Sequence, residues 1–272
     1  MDNAAGPLAP ETVKAGPSLG AIVMANGEAD KLACKLGATH KALLDIGGRT
    51  MLDRVLAALQ ASPEIGRIVV ACRKGGPVAE ALRGRVDLAE TEAPTFLDGI
   101  NAGFAAMPEV SRALLVTCDM PLLSPEAVGA MVSEAAAKPN TDLLYAMVEI
   151  ERTRKAYPEA HRTAIRFKEG SYTAAGVCAV SRRFVEECGP ILLAAFKQRK
   201  SKIGMTRLFG IGFLAKFALG ILSVEGLVKR AEEMLTCSCA AVNLPFAECG
   251  FDVDTERDLI AARAYVARVD GD

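Results

Sequence analysis

Short apolar runs alternate with stretches of helical periodicity through the first half of the chain, and the short runs favour buried strands. The runs cover residues 20–25, 67–71 and 113–117. The helical stretches cover residues 50–61, 96–106 and 125–137. Alternation of this kind is typical of βαβ units, so we predict an α/β fold with a Rossmann-like, mostly parallel sheet flanked by helices.

The second half of the chain changes character. Strands are predicted over residues 142–148, 163–167 and 173–180, and the turn between the last two indicates a hairpin. We expect a mixed-sheet and helical section at about residues 148–248. It would form the side of the ligand-binding cleft that receives a second substrate, the acceptor. A final helix follows, with Thr255 as its cap and Asp258 at the favourable third position.

Composition narrows the class of protein. With 272 residues and 51% hydrophobic content the chain can bury a substantial core, and its net charge of -1 disfavours a nucleic-acid partner. A small-molecule or protein partner is the better expectation. Eight cysteines without a Cys-x-x-Cys pair, and only two histidines, favour buried free thiols over a zinc site.

The first 18 residues resemble a flexible tail, since they have neither the basic start nor the apolar core of a signal peptide. We therefore expect a cytoplasmic protein, with one domain over residues 19–272.

The loop after the first strand has the form of a phosphate-binding turn. Small residues follow the apolar run as Met24-Ala25-Asn26-Gly27, and Lys41 later opens a second apolar run. This order brings backbone N–H groups and one cation onto phosphate oxygens, so we predict a nucleotide-binding loop here. For Lys41 the alternative interpretation is a solvated surface lysine.

Acidic residues stand where a metal site would lie. Asp119 comes just after the strand at residues 113–117, at the edge where ligands bind, and can hold Mg²⁺ against a triphosphate; a turn aspartate is the alternative. Asp252 and Asp254 alternate in an extended segment, so either can complete that site. We favour a metal role for Asp254 and a helix-dipole or capping role for Asp252.

Four motifs occur in the order that the molybdenum-cofactor guanylyltransferase-like (MobA-like) NTP transferase family shows, and the chain resembles that family. The motifs are the turn at residues 24–27 with Lys31, Lys41 with Gly47-Gly48, Asp119-Met120-Pro121, and residues 252–259. They cover about the first 135 residues and the last 25. The resemblance implies the nucleotide-diphospho-sugar transferase type of fold.

The resemblance also implies a reaction, in which an acceptor phosphate attacks the α-phosphate of a nucleoside triphosphate and pyrophosphate leaves. Lys31 and Lys41 would neutralise phosphates, and Asp119 and Asp254 would hold Mg²⁺. The chain has Lys31-Leu32 where Arg-Met is usual, and a lysine keeps the charge but loses bidentate phosphate geometry. For Lys31 we favour a solvated side chain.

Further candidate contacts follow from position. The resemblance places Asn101 where it can face the base or ribose, although an ordinary polar helix position explains it equally well. Arg162 and Arg166 are spaced by four around a predicted strand, so they share a face and can meet an anionic acceptor. Two solvated arginines are the alternative.

Residues 208–222 are apolar except for Lys216 and follow a basic run at residues 197–202. The segment is too short to span a bilayer, so a core or oligomer-facing helix is the first interpretation. The alternative is an interfacial helix at an anionic membrane or a lipid-linked acceptor.

Two other functions remain open. A nucleotide-sugar glycosyltransferase shares the sheet and the metal carboxylates, but it usually shows Asp-x-Asp directly after a strand, and Asp119-Met120-Pro121 departs from that pattern. The loop has Ala25-Asn26-Gly27 where two small residues and a glycine are commoner in the family, and this departure also permits a nucleotide-binding regulatory module without turnover.

Overall fold

The computed structural model describes residues 19–27, 31–92, 95–160, 162–198 and 210–269, and only the backbone of residues 194–198. The predicted tail at residues 1–18 lies outside the described residues. The strands are β1 (Leu19–Ala25), β2 (Asp45–Ile46), β3 (Arg49–Thr50), β4 (Ile65–Arg73), β5 (Asp87–Thr91), β6 (Arg112–Thr117), β7 (Leu143–Glu149), β8 (Ile165–Arg166), β9 (Ser171–Ser181) and β10 (Cys239–Asn243).

Helices cover both faces of the main sheet. They are α1 (Lys31–Lys35), α2 (Met51–Gln60), α3 (Pro77–Leu82), α4 (Phe96–Ala106), α5 (Pro125–Ala137), α6 (Ile150–Ala156), α7 (Arg182–Gln198), α8 (Ile211–Ala218), α9 (Val224–Leu235) and α10 (Glu256–Val269). Two 3-10 turns, Lys41–Leu43 and Ala247–Gly250, complete the regular structure of the described residues.

The main sheet has the order β10-β7-β9-β6-β1-β4-β5, with β8 paired to β9. β1 lies in the centre and is parallel to both β4 and β6, so that Val23 faces Val70 on one side and Val116 on the other. β9 is antiparallel to β6 and β7. The predicted α/β fold with a mostly parallel, partly mixed sheet is therefore confirmed.

The core lies on both faces of this sheet, which explains the near-continuous apolar runs of its central strands. Along β1, Val23 packs into the cluster covered by α2 and α5, whereas Ile22 and Met24 pack into the cluster on the opposite face. Because the central strands end at one edge, the loops that follow β1 and β6 meet there.

Three sequence predictions need correction. The strand expected at residues 163–167 is only β8, since it pairs with β9 through Ile165 and Arg166 alone. The hairpin itself is confirmed, because Phe167 donates to the Gly170 carbonyl across its turn. The core interpretation of residues 208–222 is wrong for α8, none of whose residues is buried, although Leu222 at the end of the segment does join a core cluster. The prediction of buried thiols is wrong for Cys34, which is exposed, and holds only in part for Cys178, which is partly exposed. The other six cysteines are buried.

The C-terminal helix begins as the sequence predicts. Thr255 Oγ1 accepts from the Asp258 amide at 3.3 Å, and the Asp258 carboxylate accepts from the Thr255 amide at 2.9 Å. This reciprocal pair satisfies two amides at the start of α10 and orders the segment before it. Within the described residues, no helix has the length and apolar character needed to cross a bilayer.

Candidate active site

Lys41 lies at the start of a 3-10 turn that a histidine holds in place. His40 is buried, and its Nδ1 accepts a hydrogen bond of 3.1 Å from the Ala42 amide. The other ring nitrogen, Nε2, lies 3.3 Å from the carbonyl oxygen of Gly27. Since Nδ1 accepts, Nε2 carries the proton and donates. One imidazole therefore links the loop after β1 to the turn that presents Lys41.

Asp119 follows β6 by two residues and faces this lysine. Its Oδ2 lies 2.7 Å from Lys41 Nζ, and the two side chains are largely shielded from solvent. Its other oxygen, Oδ1, is buried and has no hydrogen-bond partner among the described residues. A buried carboxylate oxygen without a partner is costly unless a cation or a ligand compensates it.

The segment before α10 joins the same site. Val253 is fully buried, and its amide donates to the Asp119 carbonyl, so the flanking Asp252 and Asp254 both lie beside Asp119. Lys41 Nζ is also 3.0 Å from Asp254 Oδ1. Carboxylate oxygens of the three aspartates all lie within 4.8 Å of one another. We call these three aspartates with Lys41 the acidic cluster.

The charges of the acidic cluster perturb one another strongly. Burial by itself would lower the pKa of Lys41, but Asp119 and Asp254 outweigh burial and hold the pKa above its ordinary value. For Asp254, burial raises the pKa, yet the Lys41 ammonium outweighs it and leaves the pKa lowered. Burial raises the pKa of Asp252 to about 7, opposed by Arg162 and reinforced by Asp119 and Asp254.

Arg162 holds Asp252, one of the three aspartates of the acidic cluster. Its side chain is only 7% exposed, forms an ion pair with the Asp252 carboxylate, and donates to the Asp252 carbonyl. The guanidinium also lies over the ring of Phe251, at 5.2 Å from the centroid. Asp252 thus pairs with Arg162, and none of the hydrogen bonds among the described residues caps α10 through its carboxylate; its helix-dipole role stays a prediction. Thr255 and Asp258 perform that capping instead.

The acidic cluster fits a divalent cation. Three carboxylates converge, one of them with an unpartnered buried oxygen, and hard cations such as Mg²⁺ prefer oxygen ligands of this kind. Asp119, Asp252 and Asp254 are the residues that would hold it. Lys41 supplies an ammonium that offsets part of their charge.

The loop after β1 is fastened to the start of α4. The Asn26 side chain is buried and donates to the Thr95 carbonyl at 2.7 Å. A Cβ at Gly99 would lie 2.7 Å from Met24 Cε and 2.8 Å from Asn26 Cγ, so only glycine allows this approach. Asn26 therefore acts in part as a structural link. Asn101 lies further along α4 and is exposed.

A cavity of about 360 Å³ opens beside this loop. It is lined by Ala25, Gly27, Thr39, His40, Arg73, Lys74, Gly75, Gly76, Pro77 and Val78. His40 lines this cavity and also caps the turn that carries Lys41, so the cavity lies next to that turn.

Two predicted residues lie away from the acidic cluster. Lys31 begins α1 and is exposed, and within the described residues no ion pair joins it to the cluster. Arg166 lies in β8, and its stem packs closely against Gly220, after α8. Because β8 begins at Ile165, the strand periodicity that placed Arg162 and Arg166 on one face does not apply. Their roles remain predictions.

Sequence reasoning missed His40 and the pairing of Arg162 with Asp252. For His40 the available signal was its position directly before Lys41, where a side-chain acceptor can cap a turn. Arg162 offered no such signal, because its partner is 90 residues away along the chain.

Known proteins share this architecture. A model of the MobA-like NTP transferase domain matches residues 21–190. A hypothetical transferase from Thermus thermophilus is 29% identical, with a TM-score of 0.75 over 89% of this chain and 99% of its own. A CMP:2-keto-3-deoxy-manno-octonic acid synthetase complexed with CTP is 16% identical, with a TM-score of 0.57 over 93% of this chain and 100% of its own.

The fold is also that of a nucleotidyl transferase from Methanothermobacter, which is 14% identical with a TM-score of 0.59 over 93% of this chain and 100% of its own. No curated protein matches the chain.

Proposed function

The chain belongs to the MobA-like NTP transferase family, and we propose that it transfers a nucleoside monophosphate from a nucleoside triphosphate to a small phosphorylated acceptor. Pyrophosphate leaves as the bond from the α-phosphorus to the acceptor oxygen forms. The acceptor phosphate is already an anion, so little proton transfer is required. Catalysis then depends on alignment and on neutralising charge around the phosphates.

One observation carries this proposal: Lys41 Nζ lies 2.7 Å from Asp119 and 3.0 Å from Asp254, at the edge of the sheet. A cation surrounded by carboxylates beside a small-residue loop provides both signs of charge that a metal-bound triphosphate needs. A structural ion pair would need only one carboxylate for one lysine. Here three carboxylates face two cationic side chains, Lys41 and Arg162, and a divalent cation would offset the remaining negative charge.

Mg²⁺ is the cofactor that we propose for these aspartates. When bound, Mg²⁺ neutralises phosphate oxygens and orients the leaving pyrophosphate. Asp119 provides the shielded oxygen, and Asp254 provides a more exposed one. Arg162 keeps Asp252 in place through its carboxylate and its carbonyl.

The nucleotide would lie along residues 24–27, with its phosphates toward Lys41. The cavity of about 360 Å³ beside Gly27 offers space for part of the nucleotide. In this arrangement His40 holds the loop and the lysine turn at a fixed separation. We keep Asn101 as a candidate for the base or ribose and Lys31 as a candidate for the phosphates.

For the acceptor side we propose residues 148–248 as an insertion within one domain over residues 19–272. Arg166 is exposed there and is the better candidate for an anionic acceptor, whereas Arg162 already pairs with Asp252. The CMP:2-keto-3-deoxy-manno-octonic acid synthetase with the same fold was solved with CTP, which supports testing cytidine as well as guanine nucleotides.

The test is pyrophosphate release from each of the four nucleoside triphosphates, with Mg²⁺ and a panel of phosphorylated metabolites. We expect pyrophosphate release that requires both an acceptor and Mg²⁺ and that a chelator abolishes. Tight nucleotide binding without release from any pair would favour a regulatory module instead. Transfer from a nucleotide sugar, without pyrophosphate, would favour a glycosyltransferase.

A further inference from the structure

α8 is an apolar helix with one side packed on the protein and most of its remaining surface exposed. None of its residues is buried, and Ile211 is 78% exposed. Phe217 on the helix and Leu219 and Ile221 just after it are also exposed. Contiguous apolar surface of this kind marks a contact with a partner or a membrane. We call α8 with residues 219–221 the α8 patch.

The inner side of α8 adjoins further apolar structure. Phe213 packs against the cluster that contains Phe167 and Leu222. Behind that cluster lies a cavity of about 300 Å³ between the sheet and α7 and α9, and its lining is almost entirely apolar. The α8 patch is therefore continuous with further apolar surface, which an apolar partner can contact and a purely polar one cannot.

The charge of the surrounding sequence identifies the kind of partner. No Asp or Glu occurs between Glu187 and Glu225. Six basic residues occur in that interval, namely Lys197, Arg199, Lys200, Lys202, Arg207 and Lys216. Lys216 itself lies within α8, among the exposed apolar side chains. A helix with apolar side chains, an embedded lysine and no acidic residue is complementary to an anionic lipid surface.

We propose that the α8 patch docks the protein on the surface of a bilayer that contains anionic phospholipid. The apolar side chains enter the boundary between headgroups and acyl chains, and Lys216 remains at the phosphates. The helix is too short to span the bilayer, so the contact is peripheral and reversible. This inference does not depend on the transferase activity.

The test is cosedimentation of the full chain with vesicles of phosphatidylcholine alone or of equal parts phosphatidylcholine and phosphatidylglycerol. Binding is expected only with phosphatidylglycerol and should weaken at high salt, because screening reduces the attraction of Lys216 to the phosphates. Phe217→Ser should weaken binding about tenfold. Lys216→Glu should weaken it at least about fivefold.

Ile260→Ser is the matched control, since Ile260 is an equally apolar residue, 61% exposed, on α10. Its vesicle binding should equal that of the wild type, and the unfolding temperatures of all three variants should be unchanged. Absence of wild-type binding to either vesicle would overturn the proposal. So would a dimer that Phe217→Ser dissociates without any vesicle binding, because the α8 patch would then contact a second copy of the chain.

Discussion

The Val253 amide donates a hydrogen bond of 2.9 Å to the Asp119 carbonyl. This bond fastens the C-terminal segment to the loop after β6, and it leaves Asp252 and Asp254 on either side of a buried valine. Two segments that are far apart in the chain thereby contribute one acidic cluster. The backbone bond holds the two segments together although their carboxylates repel one another.

Asp119→Asn tests the shielded carboxylate. The substitution keeps the shape of the side chain but removes its charge, so pyrophosphate release should fall about 100-fold or more. Circular dichroism should show an unchanged fold. Asp87→Asn is a control, because Asp87 is likewise an aspartate in an ion pair, here with Arg67, but lies on the edge strand β5, away from the acidic cluster. Equal activity of Asp119→Asn and the wild type would remove Asp119 from the mechanism.

Lys41→Ala tests the charge balance of the acidic cluster. Without the ammonium the three carboxylates repel one another, and we expect the free energy of unfolding to fall by about 1–3 kcal/mol in a chelator. Mg²⁺ should restore more stability to the variant than it adds to the wild type, because the cation replaces the lost charge. Thermal unfolding with and without Mg²⁺ measures both effects.

The control for this substitution is Lys74→Ala, which removes a lysine from an exposed ion pair with Glu92. Its unfolding temperature should change little, because exposed pairs contribute little to stability. If Lys41→Ala and Lys74→Ala gave the same small change in unfolding temperature with and without Mg²⁺, Lys41 would not balance the charge of the three aspartates.

His40→Ala and His40→Asn separate the two hydrogen bonds of the ring. Alanine loses both bonds, so the KM for the nucleoside triphosphate should rise about tenfold. Asparagine can still accept from the Ala42 amide but is too short to hold the Gly27 carbonyl, so its KM should lie between those of alanine and the wild type. Steady-state kinetics at saturating acceptor checks this order. Identical KM values for all three proteins would exclude the link.

Arg162→Ala tests the support behind Asp252. The nearly buried guanidinium pairs with Asp252 and lies over Phe251, so we expect a loss of about 2–4 kcal/mol in the free energy of unfolding. Arg257→Ala, which removes an exposed pair with Glu159, is the control and should cost much less. Denaturant unfolding measures both. A raised acceptor KM with unchanged stability would instead favour the acceptor role for Arg162.

The central fold could be predicted from the sequence because its strands are buried on both faces. The apolar runs at residues 20–25, 67–71 and 113–117 all lie within β1, β4 and β6. β5 was not predicted, because it has no apolar run. It is an edge strand, and its Asp87 and Glu90 are exposed. β10 is also an edge strand, and with only five residues it was not distinguished from the helical stretches around it.

The site was partly predictable for a physical reason as well. The rule that loops at one sheet edge meet predicted Asp119, whereas Lys41 and Asp254 were predicted from the motifs around them, and the structure brings the three side chains together. Their chemical roles remain predictions. The place of Asp252 in the acidic cluster depends on Arg162, and a contact between such distant residues has no local pattern in the sequence.

Electron paramagnetic resonance of Mn²⁺, used in place of Mg²⁺, tests whether the acidic cluster holds a divalent cation, and it does not require the acceptor to be known. With a nonhydrolysable nucleoside triphosphate analogue, we expect one bound Mn²⁺ in the wild type and in Asp87→Asn, and greatly weakened binding in Asp119→Asn and Asp254→Asn. Wild-type affinity for Mn²⁺ in both cluster variants would exclude a cation site at these aspartates.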